Sequence, residues 1–382
     1  MIKRLAIFVL ISLLGLAAAS LSSAKETIKI GAILAVTGPA ANLGAPEART
    51  LEMLTEELNA KGGINGREIQ LIVKDSASSP EKSVSFARQL IEEEKVFAII
   101  GPSTSGETMA IKNIAEEGKT ILLSCAAAEV IVNPVASYVF KVAPKDSFAV
   151  EMIFDQMKKM KISKIGVLSS NTGFGKAGKE QIEKLAPAHG IQIAANEVYD
   201  KVATDLTAEV TKLKAANVQA VLNWSIEPAQ AIVLKNVKQL GLLVPVFQSH
   251  GFANIKYAKA AGAAAEGVIF PASRIIIADA LPKSNPQKAV LMKYKKDYEL
   301  KYHGEECSTF GGHAYDAFMI LTRAIKEKGA NSEAVRTAIE NMKGFVGTAG
   351  MFNFSPANHN GLDIKAFEML TVKKGKFAPL NK

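Results

Sequence analysis

Residues Thr27-Ile-Lys-Ile-Gly-Ala-Ile-Leu-Ala-Val36, closed by Thr37-Gly38-Pro39, set the reading of the chain. A mostly apolar run of this length, ended by a glycine–proline turn, is a buried strand. Helical spacing follows through Leu51, Leu54 and Leu58. Gly62-Gly63-Ile64-Asn65-Gly66 stops that helix, and its Asn-Gly pair suits a tight turn. Residues 68–74 read as a strand. Ser79-Pro80-Glu81 opens a helix, with Ser79 as N-cap and Pro80 at the first helical position. Residues 96–100 and 121–123 are further buried strands. Strands alternating with helices predict a parallel sheet covered on both faces.

The pattern then starts again. Strands are expected at 165–168, 191–198, 220–222, 245–247 and 267–270, with helices at 178–185, 206–215 and 229–240 between them. Two successive α/β runs predict two doubly wound parallel-sheet domains, although they are not sequence repeats. Residues 286–342 are mainly helical, and 367–379 read as a final hairpin turning at Lys374-Gly375. No low-complexity linker separates the runs, so the connections are short. Ligands of such folds bind at the carboxyl ends of the strands.

The chain has 382 residues, 48% hydrophobic and 22% charged. This excludes a collagen, a mainly disordered chain and a mucin-like stalk. At roughly 150 residues per domain, two or three domains are expected. The formal charge is +9. No compact Lys/Arg block with interleaved aromatics accompanies it, so no nucleic-acid partner is expected and the charge reads as a mildly basic surface.

Met1 to Ala24 reads as a secretory signal peptide. Lys3 and Arg4 form the positive region, residues 5–19 the apolar run, and Ser22 and Ala24 the small residues of a cleavage site. The apolar run is short for a membrane span. No Cys follows it to take a lipid anchor. A soluble protein outside the cytoplasm, beginning near Lys25, is expected. Cys125 and Cys307 read as separate thiols, and neither Cys-x-x-Cys nor H-E-x-x-H spacing points to a metal.

Three motifs carry candidate chemistry. Asn171-Thr-Gly173-Phe-Gly175-Lys-Ala-Gly178-Lys179-Glu180 satisfies G-x-G-x-x-G between a strand and a helix. Glu197 and Asp200 lie about where a ribose-binding acid would be. Gly173 to Lys179 also nearly matches a P-loop, but Glu180 stands where a hydroxyl should hold magnesium. The structural alternative is a strand-to-helix turn presenting Phe174. Ser79-Pro80-Glu81-Lys82 fits S-x-x-K, yet no K-T-G or G-x-S-x-G accompanies it. No set of acid, base and nucleophile stands out, so no catalytic residue, cofactor or metal is assigned. Gly101-Pro102-Ser103-Thr104-Ser105-Gly106 follows a strand and opens a helix. Unpaired N–H groups and hydroxyls at a helix start make a cradle for a carboxylate; the alternative is a plain Ser/Thr cap. A second small-residue turn, Ser124-Cys125-Ala126-Ala127-Ala128, ends the next strand and would line the same crevice.

At these residues the chain resembles the branched-chain amino-acid-binding proteins of ABC importers, the leucine/isoleucine/valine-type periplasmic binding proteins. The resemblance covers nearly all of residues 25–382. It rests on Ile30-Gly31 with Thr37-Gly38-Pro39, on Asn59-Ala-Lys-Gly-Gly-Ile-Asn-Gly66, and on Ile99-Ile-Gly-Pro-Ser-Thr-Ser105. Gly173-Phe-Gly175, Gly241-Leu242 and Tyr315-Asp316-Ala317 extend it. It implies two doubly wound lobes joined by three hinge crossovers, with the ligand between them. Lobe one would take about 25–145 and 275–362, lobe two about 146–274 and 363–382. It also implies delivery to a membrane ABC permease with its cytoplasmic ATPase, from a monomer in the periplasm.

The ligand-binding residues implied are Ser105 for a carboxylate, Ala126 through its backbone, and Phe174 as a closing aromatic. Four positions depart. Ala128 stands where a Thr often helps hold the amine, Ile226 where an aromatic is common, and Leu43 where an aromatic often forms the rim. His250 stands where an acid pairs with the ammonium, and it can be neutral or cationic there. The family's lobe-one disulfide is missing, with Ser78 and Thr104 at its places. Burying an ammonium without a carboxylate is costly, unless Glu129 or Glu227 supplies the acid. The expectation is a small carboxylate without an α-amino group, aromatic or branched, held by Ser105, Ala126, Ala128, Phe174, Ile226, His250 and Leu43. The competing readings are a secreted nucleotide-dependent enzyme using Gly173 to Gly178, and a ligand sensor of the same fold.

Overall fold

The computed structural model describes residues 27–380; residues 1–24, read above as a signal peptide, lie outside the described residues. The strands are β1 Ile28–Leu34, β2 Ile69–Asp75, β3 Ala98–Ile100, β4 Ile121–Ser124, β5 Val139–Lys141, β6 Lys164–Ser170, β7 Gln192–Tyr199, β8 Ala220–Trp224, β9 Val246–Gln248, β10 Ile269–Ala272, β11 Phe345–Val346, β12 Met351–Phe352, β13 Glu368–Lys373 and β14 Lys376–Pro379. The α-helices are α1 Ala41–Ala60, α2 Pro80–Arg88, α3 Ser105–Glu117, α4 Asp146–Lys159, α5 Gly173–Leu185, α6 Thr207–Ala215, α7 Ala229–Gln239, α8 Ile255–Ala261, α9 Lys288–Lys301, α10 Thr309–Lys328 and α11 Ser332–Glu340.

Two large sheets organise the chain into two lobes. The first has the order β2-β1-β3-β4-β5 and is wholly parallel. The second runs β14-β13-β10-β9-β8-β6-β7. Its strands β7, β6, β8, β9 and β10 are parallel, while β13 and β14 join antiparallel at one edge. Both strand orders reverse direction once, between β1 and β3 and between β6 and β8. At such a reversal the loops leaving neighbouring strands diverge and open a crevice at the carboxyl edge.

The first sheet is buried on both faces. Ile30, Ala32 and Leu34 of β1 pack with Leu51 of α1 and with Phe318 and Leu321 of α10. Ile33, Ile99 and Leu122 point the other way, to Ile111 of α3 and Leu90. The alternation within β1 therefore feeds two clusters, which explains its near-continuous apolar run. In the second lobe, Val167, Leu222 and Phe247 pack with Val150, Ile153 and Phe154 of α4. That cluster also takes in Leu43, Ala127 and Phe310, which are carried by elements of the first lobe. The lobes therefore lie closed on one another.

Local signals placed several elements. Ser79 caps α2, its Oγ accepting the Lys82 N–H at 3.2 Å, with Pro80 in the first turn. Asn65 and Gly66 both have positive φ (53° and 75°), as do Lys374 and Gly375 (53° and 70°). Each pair makes the tight turn its sequence suits. Other boundaries moved. β3 begins at Ala98, because Val96 gives its N–H to Leu90 O, at the end of the preceding helical segment. The expected helix 178–185 starts instead at Gly173, where the Thr172 hydroxyl caps it and draws the glycine-rich stretch into the helix. β5 and α4 carry no signal strong enough to be read from sequence. β5 is three residues long, and α4 lacks a side-chain cap. Cys125 and Cys307 are free thiols, as read.

Candidate functional site

The loop leaving β3 leads into α3. Thr104 is the N-cap, in extended backbone, and its Oγ1 accepts the Glu107 N–H at 3.4 Å. The capping role thus falls to Thr104, and Ser105 becomes the first helical residue. Ser105 Oγ accepts the Ala128 N–H at 3.2 Å. Its own proton is left for an acceptor in the cleft. Behind it, Ser103 accepts the Ala35 N–H at 3.0 Å and donates to the carboxyl of Glu47. Burial pushes that carboxyl well above its ordinary range.

The second lobe mirrors this arrangement. The Thr172 hydroxyl accepts the Gly175 N–H at 3.2 Å at the start of α5. Gly173 meets α3 head-on: a Cβ there would lie 2.6 Å from Gly106 Cα. Two helix N-termini, one from each lobe, therefore face each other. Each presents unpaired N–H groups and about half a positive charge. They flank a throat of about 180 Å³ whose wall includes Thr104, Gly106, Thr172, Phe174, Ile226 and Glu227.

Inside the throat lies a narrower cavity. Leu43, Ser105, Ala126, Phe174, Ile226 and His250 all line it. In this closed arrangement it is about 20 Å³, room for roughly one water; a larger guest enters only with the lobes parted. Six of the seven residues expected at the site thus come together from both lobes. Ala128 does not join the wall. Its methyl is fully buried among Ile111 and Ile131, and its contribution is the N–H that orients Ser105. The Ala126 N–H is already given to Ser124 Oγ at 3.1 Å, so that backbone donor is not free as expected.

Phe174 stacks on Trp224, ring centroids 5.7 Å apart, and meets the edge of His250 at 5.3 Å. His250 is 6% exposed, and neither ring nitrogen has a hydrogen-bond partner. Burial, then the nearby Lys141 and His313, pushes its pKa down to about 3. The cationic option therefore falls away: His250 is neutral near pH 7. Its Nε2 lies 3.7 Å from Asp146 Oδ1, too long for a hydrogen bond. Burial raises the carboxyl of Asp146 and lowers the ammonium of Lys141, and each opposes the other's shift. Of the acids that might have replaced His250, Glu227 borders the throat. Its Oε2 accepts the Ser225 hydroxyl at 2.7 Å and the Ile226 N–H at 3.2 Å. Glu129 instead pairs with Lys145 at 3.9 Å and lines neither the throat nor the cavity.

Phe310 and His313, both from the first turns of α10, were not legible in the sequence as site residues. The one available clue was a histidine beside Gly311-Gly312 in the first turns of a helix whose N-terminal half is almost wholly buried. Asp316, from the same helix, has a structural task. It accepts the N–H groups of Thr348 at 2.6 Å and Ala349 at 2.8 Å, and so pins the turn against α10.

The glycine motif is explained by packing. A Cβ on Gly175 would lie 1.9 Å from Ser170 O, and one on Gly178 would lie 2.0 Å from Trp224 Nε1. Gly173 is needed for the inter-lobe contact. Close approach to Ser170, Trp224 and the facing lobe accounts for all three glycines, with none left to cradle a phosphate.

The periplasmic binding protein family matches the chain over residues 27–376. The "Leucine-, isoleucine-, valine-, threonine-, and alanine-binding protein" of Pseudomonas aeruginosa is 28% identical over 327 residues, 84% of each chain. An extracellular ligand-binding receptor from Rhodopseudomonas palustris is 28% identical with a TM-score of 0.87, covering 92% of this chain and 99% of its own. The branched-chain amino acid transporter substrate-binding protein LivJ of Streptococcus pneumoniae, solved with isoleucine, is 26% identical with a TM-score of 0.81. That alignment covers 92% of this chain and 97% of LivJ. Relatives that share this two-lobed fold are substrate-binding proteins and not enzymes, and this chain is of that class. The chain belongs to the periplasmic binding protein family, type I, of the leucine/isoleucine/valine-binding kind.

Proposed function

We propose that this protein captures a small carboxylate lacking an α-amino group, by hinge closure, and delivers it to an ABC permease powered by a cytoplasmic ATPase. The observation that carries this is the pair of facing helix starts, α3 and α5, with the Ser105 hydroxyl free to donate beside them. Charge of that sign at both sides of a cleft favours an anion and opposes an ammonium. The position expected to hold the acid for an ammonium carries His250, neutral and walled by Phe174 and Trp224. Ligand binding stabilises the closed lobes, and the closed form is what a permease would recognise.

The lobes in this reading are 25–145 with 275–362, and 146–274 with 363–382. Their support is that the first sheet draws its strands from 28–141 and the second from 164–272 and 368–379. The site residues are Leu43, Ser105, Ala126, Phe174, Ile226 and His250, with Ala128 acting behind Ser105.

Matched pairs test the ligand class. Ligand-stripped protein titrated with 4-methylpentanoate against leucine, and with 3-phenylpropanoate against phenylalanine, should prefer each desamino acid by about tenfold, or ~1.4 kcal/mol. Trp224 is the single tryptophan and touches both Phe174 and His250, so its fluorescence reports binding directly. Tighter binding of both amino acids restores an ordinary branched-chain amino-acid protein. Export has its own check. Terminal sequencing of the secreted protein should read from at or near Lys25; finding Met1 on it removes the claim of a cleaved signal peptide.

A further inference from the structure

A second hollow lies in the first lobe. It holds about 520 Å³ between α1 and α10, with Lys293 of α9 and Phe345 of β11 completing its wall. It shares no lining residue with the throat or the inner cavity. Both helices begin at the cleft, where they bring Leu43 and Phe310, and they line this hollow further along, from Leu54 and Tyr315 onward. Its floor is apolar. Leu54, Ile64, Phe318 and Phe345 are buried members of the first lobe's core, and Leu58 and Met319 pack half-buried against them. The core is thus open to solvent here, in a concave pocket of the size and lining that hold small ligands.

The rim is positive. Lys61, Lys293, Arg323 and Lys326 stand against one acid, Glu57. Glu57 is already shared by Lys61 at 2.6 Å and Lys293 at 3.6 Å, and Lys293 also meets Asp297 at 2.5 Å. Arg323 and Lys326 are exposed and pair with no carboxylate among the described residues. They lie three apart on α10, neighbours on one helix face, where like charges repel. Lys326 is in the last turn, where the helix dipole alone favours a cation. Arg323 lies a turn earlier, where that effect has faded.

We infer that this hollow is a second binding site, for a free amphipathic acid with an alkyl tail and one carboxylate head. It stands apart from whatever the cleft binds. The tail covers the floor at Phe318 and Met319, and the head meets Arg323 and Lys326. The guanidinium of Arg323 offers a planar fork that fits a carboxylate with two parallel hydrogen bonds. A small inorganic anion would leave the apolar floor bare. A cationic amphiphile would meet four like charges. A second copy of this chain brings the same positive rim and a formal charge of +9, so a face-to-face pair is repelled.

The test uses the full mature protein, stripped of ligand, titrated with decanoate and with decan-1-ol and decyltrimethylammonium as neutral and cationic probes of the same tail. Decanoate should bind more tightly than either by roughly tenfold or more, the scale of one charge-assisted hydrogen bond. Arg323→Glu combined with Lys326→Glu should remove that preference and leave decan-1-ol unchanged. Met319→Trp, which fills the hollow, should weaken decanoate and decan-1-ol alike. Melting curves show whether each variant is folded; should Met319→Trp fail to fold, the charge reversal, at two exposed positions, decides alone. Ser105→Ala, in the cleft, should leave decanoate binding as it is. If Ser105→Ala abolishes that binding and the charge reversal does not, the acid sits in the cleft and the inference is overturned. Equal binding of the three probes, or no binding of decanoate, overturns it too. So does flotation of the protein with anionic vesicles in the absence of decanoate binding, which would make the hollow a membrane contact.

Discussion

Ser105→Ala should weaken binding of the carboxylate ligand roughly ten- to hundredfold. Ser105 opens α3, and Thr104 has taken the capping bond, so the Ser105 hydroxyl is not spent on the helix. It accepts from Ala128 and has one proton to give. A charge-assisted hydrogen bond to a carboxylate contributes about 1.5–3 kcal/mol, which sets the expected loss. The variant also leaves the N–H of the fully buried Ala128 without its acceptor. An unmatched buried donor costs ~1–3 kcal/mol, so the ligand-free protein should melt somewhat earlier. That second effect departs from what an open-cleft position would predict, because Ser105 is only 2% exposed with the lobes closed. Calorimetric titration and a melting curve separate the two. Unchanged affinity would reduce Ser105 to an anchor for Ala128.

Gly173→Ala should impair closure and leave each lobe intact. The added methyl would sit 2.6 Å from Gly106 Cα and 2.7 Å from Gly106 N. Both are backbone atoms, so no side-chain rotation relieves the clash. The contact joins separate lobes, so the easiest relief is for the lobes to part. Overpacking of this kind costs about 1–3 kcal/mol. Here it would be drawn from ligand binding, roughly 5- to 150-fold in affinity. The reverse substitution supplies the control. A Cβ on Gly106 comes no nearer than 3.6 Å to Gly173, an ordinary contact. Gly106→Ala should therefore bind nearly as the parent does. Solution scattering with saturating ligand would show the Gly173 variant more open than the parent. Equal affinities for the parent and both variants would mean that closure in solution does not bring α3 and α5 this near.

Much of this architecture is written locally. The β1 run and its Thr37-Gly38-Pro39 stop, the Ser79-Pro80 helix start, and the Asn65-Gly66 and Lys374-Gly375 turns each depend on a few neighbouring residues. Their backbone preferences act whatever the rest of the chain does. The same is true of the hydroxyl-rich start of α3, whose Thr104 caps the helix as a short-range signal would have it. Where a short-range signal was weak, as at β5 and α4, tertiary packing supplied the order and the sequence was silent. The glycines at 173, 175 and 178 show the opposite case. Their spacing fits a phosphate loop, yet what they must avoid is Gly106, Ser170 and Trp224. Gly106 and Trp224 lie far from these glycines in sequence, on α3 and β8, and no local window contains them.

The sequence by itself thus determined two doubly wound α/β units with several of their turns and caps, and it pointed to six residues that line one cavity. Only the tertiary structure decided that α3 and α5 meet, that Ala128 stands behind Ser105, and that His250 is buried and neutral. It alone brought His313, from a helix late in the chain, to the same cavity as His250. The reason is physical. Turn and cap preferences are properties of adjacent residues, whereas burial and unmatched hydrogen bonds belong to the space that two packed lobes enclose.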